Sequence, residues 1–394
     1  MGFYNLLISI LNVIILVLSL FSNELGFIQH VEALGINYGQ VANNLPSPDR
    51  VIGLVSSLNI TKIRIYDTNP QILLAFANTG IDIIVTVPNE AVPQLTNRQQ
   101  AMQWLLSNVK PYLPATKISG IAVGNEVYTS DDQTLMVNLV PAMTSIQEAL
   151  VQLNLDSIIH VSTSNSLAVL ANSYPPSLGS FRQDIGPLMA QFLQFLATTK
   201  SPFWINAYPY FAYKDDPLRV PLNYVLMNPN NGMVDPYTKL HYDNMLYAQV
   251  DAVTFAMARM GYGGIEVRVS ETGWPSKGDV SEVGATRENA RVYNMNLVMR
   301  QFRNEGTPLR PKQRLEVYLF ALFNEDLKPG PTSERNYGLY EPDGTMTYNL
   351  GLTTLKSDVP AASLSSSSAS QGQKRKESGM LWILICTLIF LKLY

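Results

Sequence analysis

The chain has 394 residues, of which 46% are hydrophobic and only 15% are charged, so it can bury a sizeable core. Its formal net charge is −3 and no basic stripe runs along it, which argues against a nucleic-acid partner and suits a neutral substrate. One cysteine, Cys386, and three histidines are too few for a disulfide framework or a zinc site, and we expect neither a metal nor a cofactor.

The N-terminus differs from the middle of the chain. Residues 6–21 form an apolar run, and Ala33 supplies the small residue that a signal-peptide cleavage site requires. We therefore predict a signal peptide over residues 1–33, with an uncleaved N-terminal anchor as the alternative. A single N-glycosylation sequon, Asn59-Ile60-Thr61, follows and predicts a glycan on Asn59 of a secreted chain.

The C-terminus is also distinctive. Residues 357–370 form a Ser/Ala-rich linker, and residues 371–394 combine a basic spacer with a short apolar tail. Small residues, spacer and apolar tail follow one another in a signal for a glycosylphosphatidylinositol (GPI) anchor. We predict attachment at Ser368, with Ser366, Ser367 and Ser370 as alternatives, removal of 371–394, and a protein held on the outer face of the plasma membrane in the cell wall. A plain tail anchor is the alternative.

Eight short β-branched runs alternate with helical patterns over residues 34–356. The predicted strands are 34–38, 62–66, 82–87, 118–123, 158–163, 203–208, 265–270 and 315–320. Apolar residues at helical spacing predict helices over 98–109, 132–153, 241–260 and 286–303. This alternation predicts parallel strands, and eight units close most simply as a single-domain α/β fold, the (β/α)₈ TIM barrel. An open doubly wound sheet is the rival, but the glycines near the first strand lack nucleotide-turn spacing.

The connection after the sixth predicted strand is long. Residues 209–240 contain five prolines and the aromatic residues Tyr210, Phe211 and Tyr213. Long loops on this face of a barrel shape substrate clefts, and we expect that role here, with a disordered insert as the alternative.

Two glutamates follow buried strands. Glu126 follows the fourth predicted strand and Glu271 the seventh, and barrel closure would bring both to the carboxyl-end face, where active sites of TIM barrels lie. Two carboxyl groups across one sugar are what glycosidic cleavage requires. Either glutamate alone is more typical of a solvated loop residue, but the pair, with Asn125 and Trp274 beside it, favours catalysis.

Several motifs resemble those of glycoside hydrolase family 17, and most of all its plant endo-1,3-β-glucanases, over about residues 34–355. The resemblance implies a (β/α)₈ barrel that acts with retention, with Glu126 as general acid/base and Glu271 as nucleophile. The motifs are Gly35-Ile36-Asn37-Tyr38-Gly39, Gly124-Asn125-Glu126-Val127, Asn206-Ala207-Tyr208-Pro209-Tyr210-Phe211, Ser270-Glu271-Thr272-Gly273-Trp274-Pro275-Ser276 and Phe323-Asn324-Glu325-Asp326-Leu327-Lys328.

The same resemblance suggests substrate-binding residues. Asn125 would hydrogen-bond a sugar 2-hydroxyl, Asn206 belongs to a matching motif, and Glu325 and Lys328 would form a charge pair that Glu334 joins. A surface ion pair is the alternative for the charged group. The candidates for stacking on sugar faces, for each of which core packing stays equally open, are Tyr38, Tyr66, Tyr208, Phe211, Trp274 and Phe323.

Three functions remain open on sequence alone. The first is a monomeric endo-hydrolase of 1,3-β-glucan, the second a transglycosylase at the same site, and the third a non-catalytic glucan-binding protein of the cell wall. Glutamates at both strand ends argue against the third.

Overall fold

The computed structural model describes residues 34–350. The predicted signal peptide, the linker, Ser368 and the removed segment 371–394 lie outside the described residues. Within them, the (β/α)₈ barrel is confirmed by eight parallel strands that form one closed sheet.

Each predicted strand corresponds to a barrel strand. Around the barrel the order is β1-β2-β3-β4-β5-β8-β11-β12, and β12 pairs back onto β1. The barrel strands are β1 (Gly35–Tyr38), β2 (Lys62–Ile65), β3 (Asp82–Val87), β4 (Lys117–Asn125), β5 (His160–Ser166), β8 (Phe203–Asn206), β11 (Val267–Thr272) and β12 (Val317–Leu319). The loops contain two antiparallel strand pairs, β6 (Leu170–Asn172) with β7 (Ser180–Phe181), and β9 (Met233–Val234) with β10 (His241–Tyr242).

Several of the described helices begin where a polar side chain caps their first N–H groups. Asn97, Asp132, Asn244 and Thr286 each accept a backbone hydrogen bond at a helix start. The described α-helices are α1 (Pro48–Ser57), α2 (Pro70–Ala75), α3 (Arg98–Asn108), α4 (Gln133–Gln152), α5 (Gly186–Thr199), α6 (Pro209–Asp215), α7 (Leu222–Val225), α8 (Met245–Arg259) and α9 (Arg287–Phe302). By length and composition α4 would suit a membrane span, but half of its most apolar window is buried in the domain.

The segment after β8 is folded, which contradicts the disordered alternative. It contains α6, α7 and β9, and the buried Asp235 holds it to the neighbouring loop. The Asp235 carboxylate accepts hydrogen bonds from the Ser177 N–H at 2.9 Å and from the Ser177 hydroxyl at 2.8 Å. Burial acts to raise the pKa of Asp235, but these and further backbone donors outweigh it and lower the pKa to about 2.

The predicted glycosylation residue Asn59 is exposed, on the turn between α1 and β2.

The barrel interior is filled by side chains. A layer of Ile84, Ala122, Trp204 and Tyr318 packs inside the strands. This core leaves the side chains at the carboxyl ends of the strands as the ones that face a cleft.

Candidate active site

Backbone geometry at the end of β4 directs Glu126 inward. Glu126 adopts a left-handed conformation with φ 54°, which is uncommon for a residue other than glycine. Its N–H donates to the Ser164 carbonyl on β5 at 2.8 Å. Two residues earlier Gly124 has φ 70°, and a Cβ there would collide with the side chain of Val127. This turn thus requires glycine at 124 and holds Glu126 at the rim of the barrel.

Glu271 lies within β11, where the strand pairing is irregular. The register against β8 shifts between Val269 and Glu271, as it does at a β-bulge. Such shifts re-aim side chains near active sites. Glu271 is 7% exposed, and its side chain reaches the same cleft as Glu126.

The cleft has a volume of about 420 Å³ and lies at the carboxyl ends of the strands. It brings together nine of the residues that the sequence singled out. These are Tyr66, Asn125, Glu126, Tyr208, Phe211, Glu271, Glu325, Lys328 and Glu334. Asn206 contacts it through Glu126, because the Asn206 side-chain amide donates to Glu126 Oε1 at 2.9 Å.

The Glu271 carboxylate is surrounded by donors. Its Oε1 accepts from the Arg64 guanidinium at 2.7 Å and from the Tyr66 hydroxyl at 2.8 Å. Its Oε2 accepts from the Tyr208 hydroxyl at 2.8 Å. Arg64 is fully buried, so this charge-assisted bond is shielded from water. The arrangement stabilises the ionised carboxylate.

Glu126 has a different environment. Burial raises its pKa, and the negative charge of Glu271 raises it further, while the Asn206 amide and Arg64 act in the opposite direction without reversing the shift. Asn206 is itself oriented by Ser270, whose hydroxyl donates to Asn206 Oδ1 at 2.7 Å. The two carboxyl groups of the cleft therefore have different surroundings, since three donors surround Glu271 whereas burial and the charge of Glu271 raise the pKa of Glu126.

The sequence analysis did not predict a role for Arg64. In the structure Arg64 bonds both Glu271 and Asn125, the neighbour of Glu126. Besides Glu271, it donates to Asn125 Oδ1 at 2.7 Å, so the amide oxygen of this cleft residue is occupied and its N–H groups are not used in that bond. The alternation of Lys-Ile-Arg-Ile-Tyr carried a signal, since it places Lys62, Arg64 and Tyr66 on one face of β2.

The charged group at the end of β12 differs in one respect from the predicted pairing. Lys328 forms its ion pair with Glu334, at 3.2 Å, and lies 4.1 Å from the centre of the Phe320 ring. Glu325 instead accepts from the Val41 N–H at 2.8 Å. Burial raises the pKa of Glu325, and the positive charge of Lys328 partly offsets this. The three residues still lie together in the cleft.

A stacking role is wrong for three of the six aromatic candidates, because their faces are covered. Trp274 is fully buried against Tyr210 and Tyr293, with ring centres 5.2 and 5.6 Å away. Tyr38 and Phe323 are each 2% exposed and pack on one another with ring centres 5.9 Å apart. These residues belong to the core that supports the cleft, whereas Tyr66, Tyr208 and Phe211 line it.

Comparison with known proteins identifies the family. The sequence model of "Glycosyl hydrolases family 17" matches residues 34–352. The chain belongs to glycosyl hydrolase family 17. It is therefore a glycoside hydrolase, and members of this family act with retention.

Relatives and solved structures agree with this assignment. The chain is 52% identical to glucan endo-1,3-beta-glucosidase 11 of Arabidopsis thaliana over 321 residues, which is 81% of this chain and 75% of that protein. It is 50% identical to glucan endo-1,3-beta-glucosidase 14 of the same plant over 83% of this chain and 84% of that protein. The solved structure of CJP38, a beta-1,3-glucanase and pollen allergen of Cryptomeria japonica, superposes with a TM-score of 0.78. The two sequences are 42% identical, and the match covers 81% of this chain and 98% of CJP38.

Proposed function

We propose that this glycoside hydrolase cleaves internal 1,3-β-D-glucosidic linkages of 1,3-β-glucan with retention, using Glu126 as acid/base and Glu271 as nucleophile. The observation that carries the proposal is the contrast between the two carboxyl groups of one cleft. Glu271 accepts from a guanidinium and two hydroxyls, while burial and the charge of Glu271 raise the pKa of Glu126.

The two groups have complementary tasks in a double displacement. Glu271 attacks the anomeric carbon while Glu126 donates its proton to the leaving oxygen, which forms a covalent glycosyl-enzyme. Once the proton has gone, Glu126 is a base that takes a proton from water, and the water attacks the anomeric carbon and releases Glu271. Two inversions at one carbon give retention. The Tyr208 hydroxyl and Arg64 hold Glu271 in place for both steps.

The choice of substrate draws on the names of the relatives and on the cleft. Several relatives with 43 to 52% identity are named glucan endo-1,3-beta-glucosidases. In the cleft, Tyr208 and Phe211 offer aromatic surface, and the Asn125 amide can donate to a sugar hydroxyl. A neutral polymer suits a chain with a formal charge of only −3.

The cellular setting is a further part of the proposal. We propose that the protein is secreted, carries a glycan on Asn59, acts as a monomer and is held at the outer face of the plasma membrane, facing the cell wall, by a GPI anchor on Ser368. Its support is the order of segments at the two ends of the sequence. Phospholipase release of the protein from intact cells tests the anchor, and retention on the cells after treatment contradicts it.

Product analysis tests the reaction. The secreted enzyme is incubated with linear 1,3-, mixed 1,3/1,4- and 1,6-linked β-glucans, and reducing ends and product lengths are measured. We expect oligosaccharides of several lengths from the 1,3-linked polymer from the first minutes of the reaction. Products longer than the starting chain indicate glucosyl transfer instead, and binding without any product indicates the non-catalytic alternative.

A further inference from the structure

A second cavity, of about 920 Å³, lies beside the catalytic cleft and has more than twice its volume. It is formed by the segment after β8, by the first half of α8 and by the loop between β6 and β7, which contributes Ser173 and Tyr174. The short helix α6 divides the two, since Phe211 lines the cleft and the next residue, Ala212, lines the second cavity. Chain that leaves the carboxyl end of β8 therefore contributes to both.

The walls of this cavity combine aromatic, apolar and amide surfaces. Tyr174, which is 74% exposed, and Tyr224 supply the rings, and Met233 and Met245 supply apolar surface. Tyrosine offers a flat apolar face with a hydroxyl that hydrogen-bonds, a combination that is typical of surfaces that bind sugars.

One buried polar group in the wall lacks a partner. Gln249 lines the cavity and is 8% exposed, and its side-chain Oε1 accepts no hydrogen bond among the described residues. A buried acceptor without a donor is costly, and because this oxygen is itself enclosed, a ligand hydroxyl or a water satisfies it once the Gln249 side chain turns toward the cavity. Asn223 adds a second side-chain amide at the edge of the cavity.

The charge of the cavity narrows the class of ligand. Its ionisable side chains are the two tyrosines and Arg219, whose guanidinium already lies 3.6 Å from the Asp216 carboxylate. No carboxylate among the described residues lines it to bind a cation, and the guanidinium is 88% exposed and has the Asp216 carboxylate beside it. The ligand that fits is neutral, carries hydroxyl donors, and has flat C–H faces for the tyrosines.

We propose that this cavity is a second carbohydrate-binding site that holds a segment of a neutral β-glucan chain next to the cleft. The identity of the sugar rests on the proposed function. A polymer held on one side of α6 keeps its neighbouring segments at high local concentration on the other side, where cleavage takes place. Binding there would favour long chains over short ones.

The test counts binding sites. A short linear 1,3-β-glucan oligosaccharide is titrated calorimetrically into the full secreted protein carrying Glu271→Gln, so that the probe is not consumed. We expect about two oligosaccharides per chain for this parent and about one after Tyr174→Ala, because the exposed ring is removed with little effect on the fold. Gln249→Leu, which keeps the shape and removes the amide, should weaken the same site.

Tyr237→Ala is the matched control, because Tyr237 is a tyrosine of similar exposure, at 66%, that lies in the segment after β8 and does not line the cavity. It should keep the stoichiometry of the parent. Equal stoichiometry with and without the Tyr174 ring overturns the second site. Reducing-end release by the wild-type protein reports separately on the proposed function. If the wild type releases reducing ends but the stoichiometry does not depend on Tyr174, the second site is refuted and the proposed function stands. If the protein shows no turnover and no binding, both proposals are refuted.

Discussion

The ends of β4 and β11 hold the same type of residue in opposite surroundings. Glu271, in β11, accepts hydrogen bonds from three side chains, one of them a buried guanidinium. Glu126, after β4, accepts from the amide of Asn206 and lies within the field of Glu271. The barrel brings the two carboxyl groups to one cleft, but their neighbours differ, and a difference of this kind distinguishes an acid from a nucleophile.

Removing the nucleophile should have the largest effect. Glu271→Gln keeps the size of the side chain but replaces the attacking oxygen by an amide, so kcat on 1,3-β-glucan should fall by about 10⁴-fold or more. Glu288→Gln, at an exposed helix position paired with Arg291, is the control and should retain wild-type rates. A Glu271→Gln enzyme within about tenfold of wild type would remove Glu271 from the mechanism.

Glu126→Gln should show a loss that depends on the leaving group. We expect kcat to fall by about 10²–10⁴-fold on the polysaccharide. The fall in kcat should be much smaller on an aryl glucoside, because its phenolate leaves without a proton. In the wild type, Glu126 carries its proton below its raised pKa and loses it above, so the rate should decline as pH rises through that pKa. This alkaline decline should be absent in Glu126→Gln. Equal losses on both substrates would contradict the role of an acid.

Arg64→Lys tests the surroundings of the nucleophile. Lysine keeps the positive charge but cannot bond Glu271 and Asn125 at once, so we expect kcat to fall by about 10²-fold. Arg268→Lys is a matched control, because Arg268 also pairs with glutamates and belongs to β11 but does not line the cleft. If both variants lose stability equally and neither loses rate, Arg64 has a purely structural role.

The smallest effect is expected from Ser270→Ala. The Ser270 hydroxyl orients the Asn206 side-chain amide, and the Asn206 N–H donates to Glu126. The hydrogen bond from Asn206 acts to lower the pKa of Glu126. Without it, the pKa of Glu126 should rise further and the alkaline decline of activity should move to higher pH, with kcat reduced only about twofold. Ser162→Ala removes another buried hydroxyl, which donates to Pro202, and should leave the pH profile unchanged. An identical profile for Ser270→Ala would contradict this relay.

Local patterns predicted the framework of the fold well. Helices 98–109, 132–153 and 286–303 agree with the structure to within a residue or two at each end, because Asn97, Asp132 and Thr286 are capping residues that the sequence displays. The helix predicted over 241–260 begins later, at Met245, because His241 and Tyr242 pair with β9. That pairing depends on a neighbouring strand rather than on local periodicity.

Residues of the site were harder to predict where tertiary packing decides their role. Nothing local distinguishes Tyr208, which lines the cleft, from Trp274, which is enclosed by other rings. Arg64 looks like a solvated strand residue until the barrel closes around it and supplies Glu271 and Asn125 as partners. The second cavity arises from segments that are distant in sequence, Tyr174 and Gln249 among them, and no motif marks it.

The most direct test is to identify the residue that becomes covalently linked to sugar. The enzyme is treated with an activated 2-deoxy-2-fluoro-glucoside or laminaribioside, which forms the glycosyl-enzyme faster than water removes it, and its peptides are analysed by mass spectrometry. We predict one added sugar on the peptide that contains Glu271 and none on the peptide that contains Glu126. An adduct on Glu126, or turnover to products of inverted configuration with no adduct, would contradict the assignment.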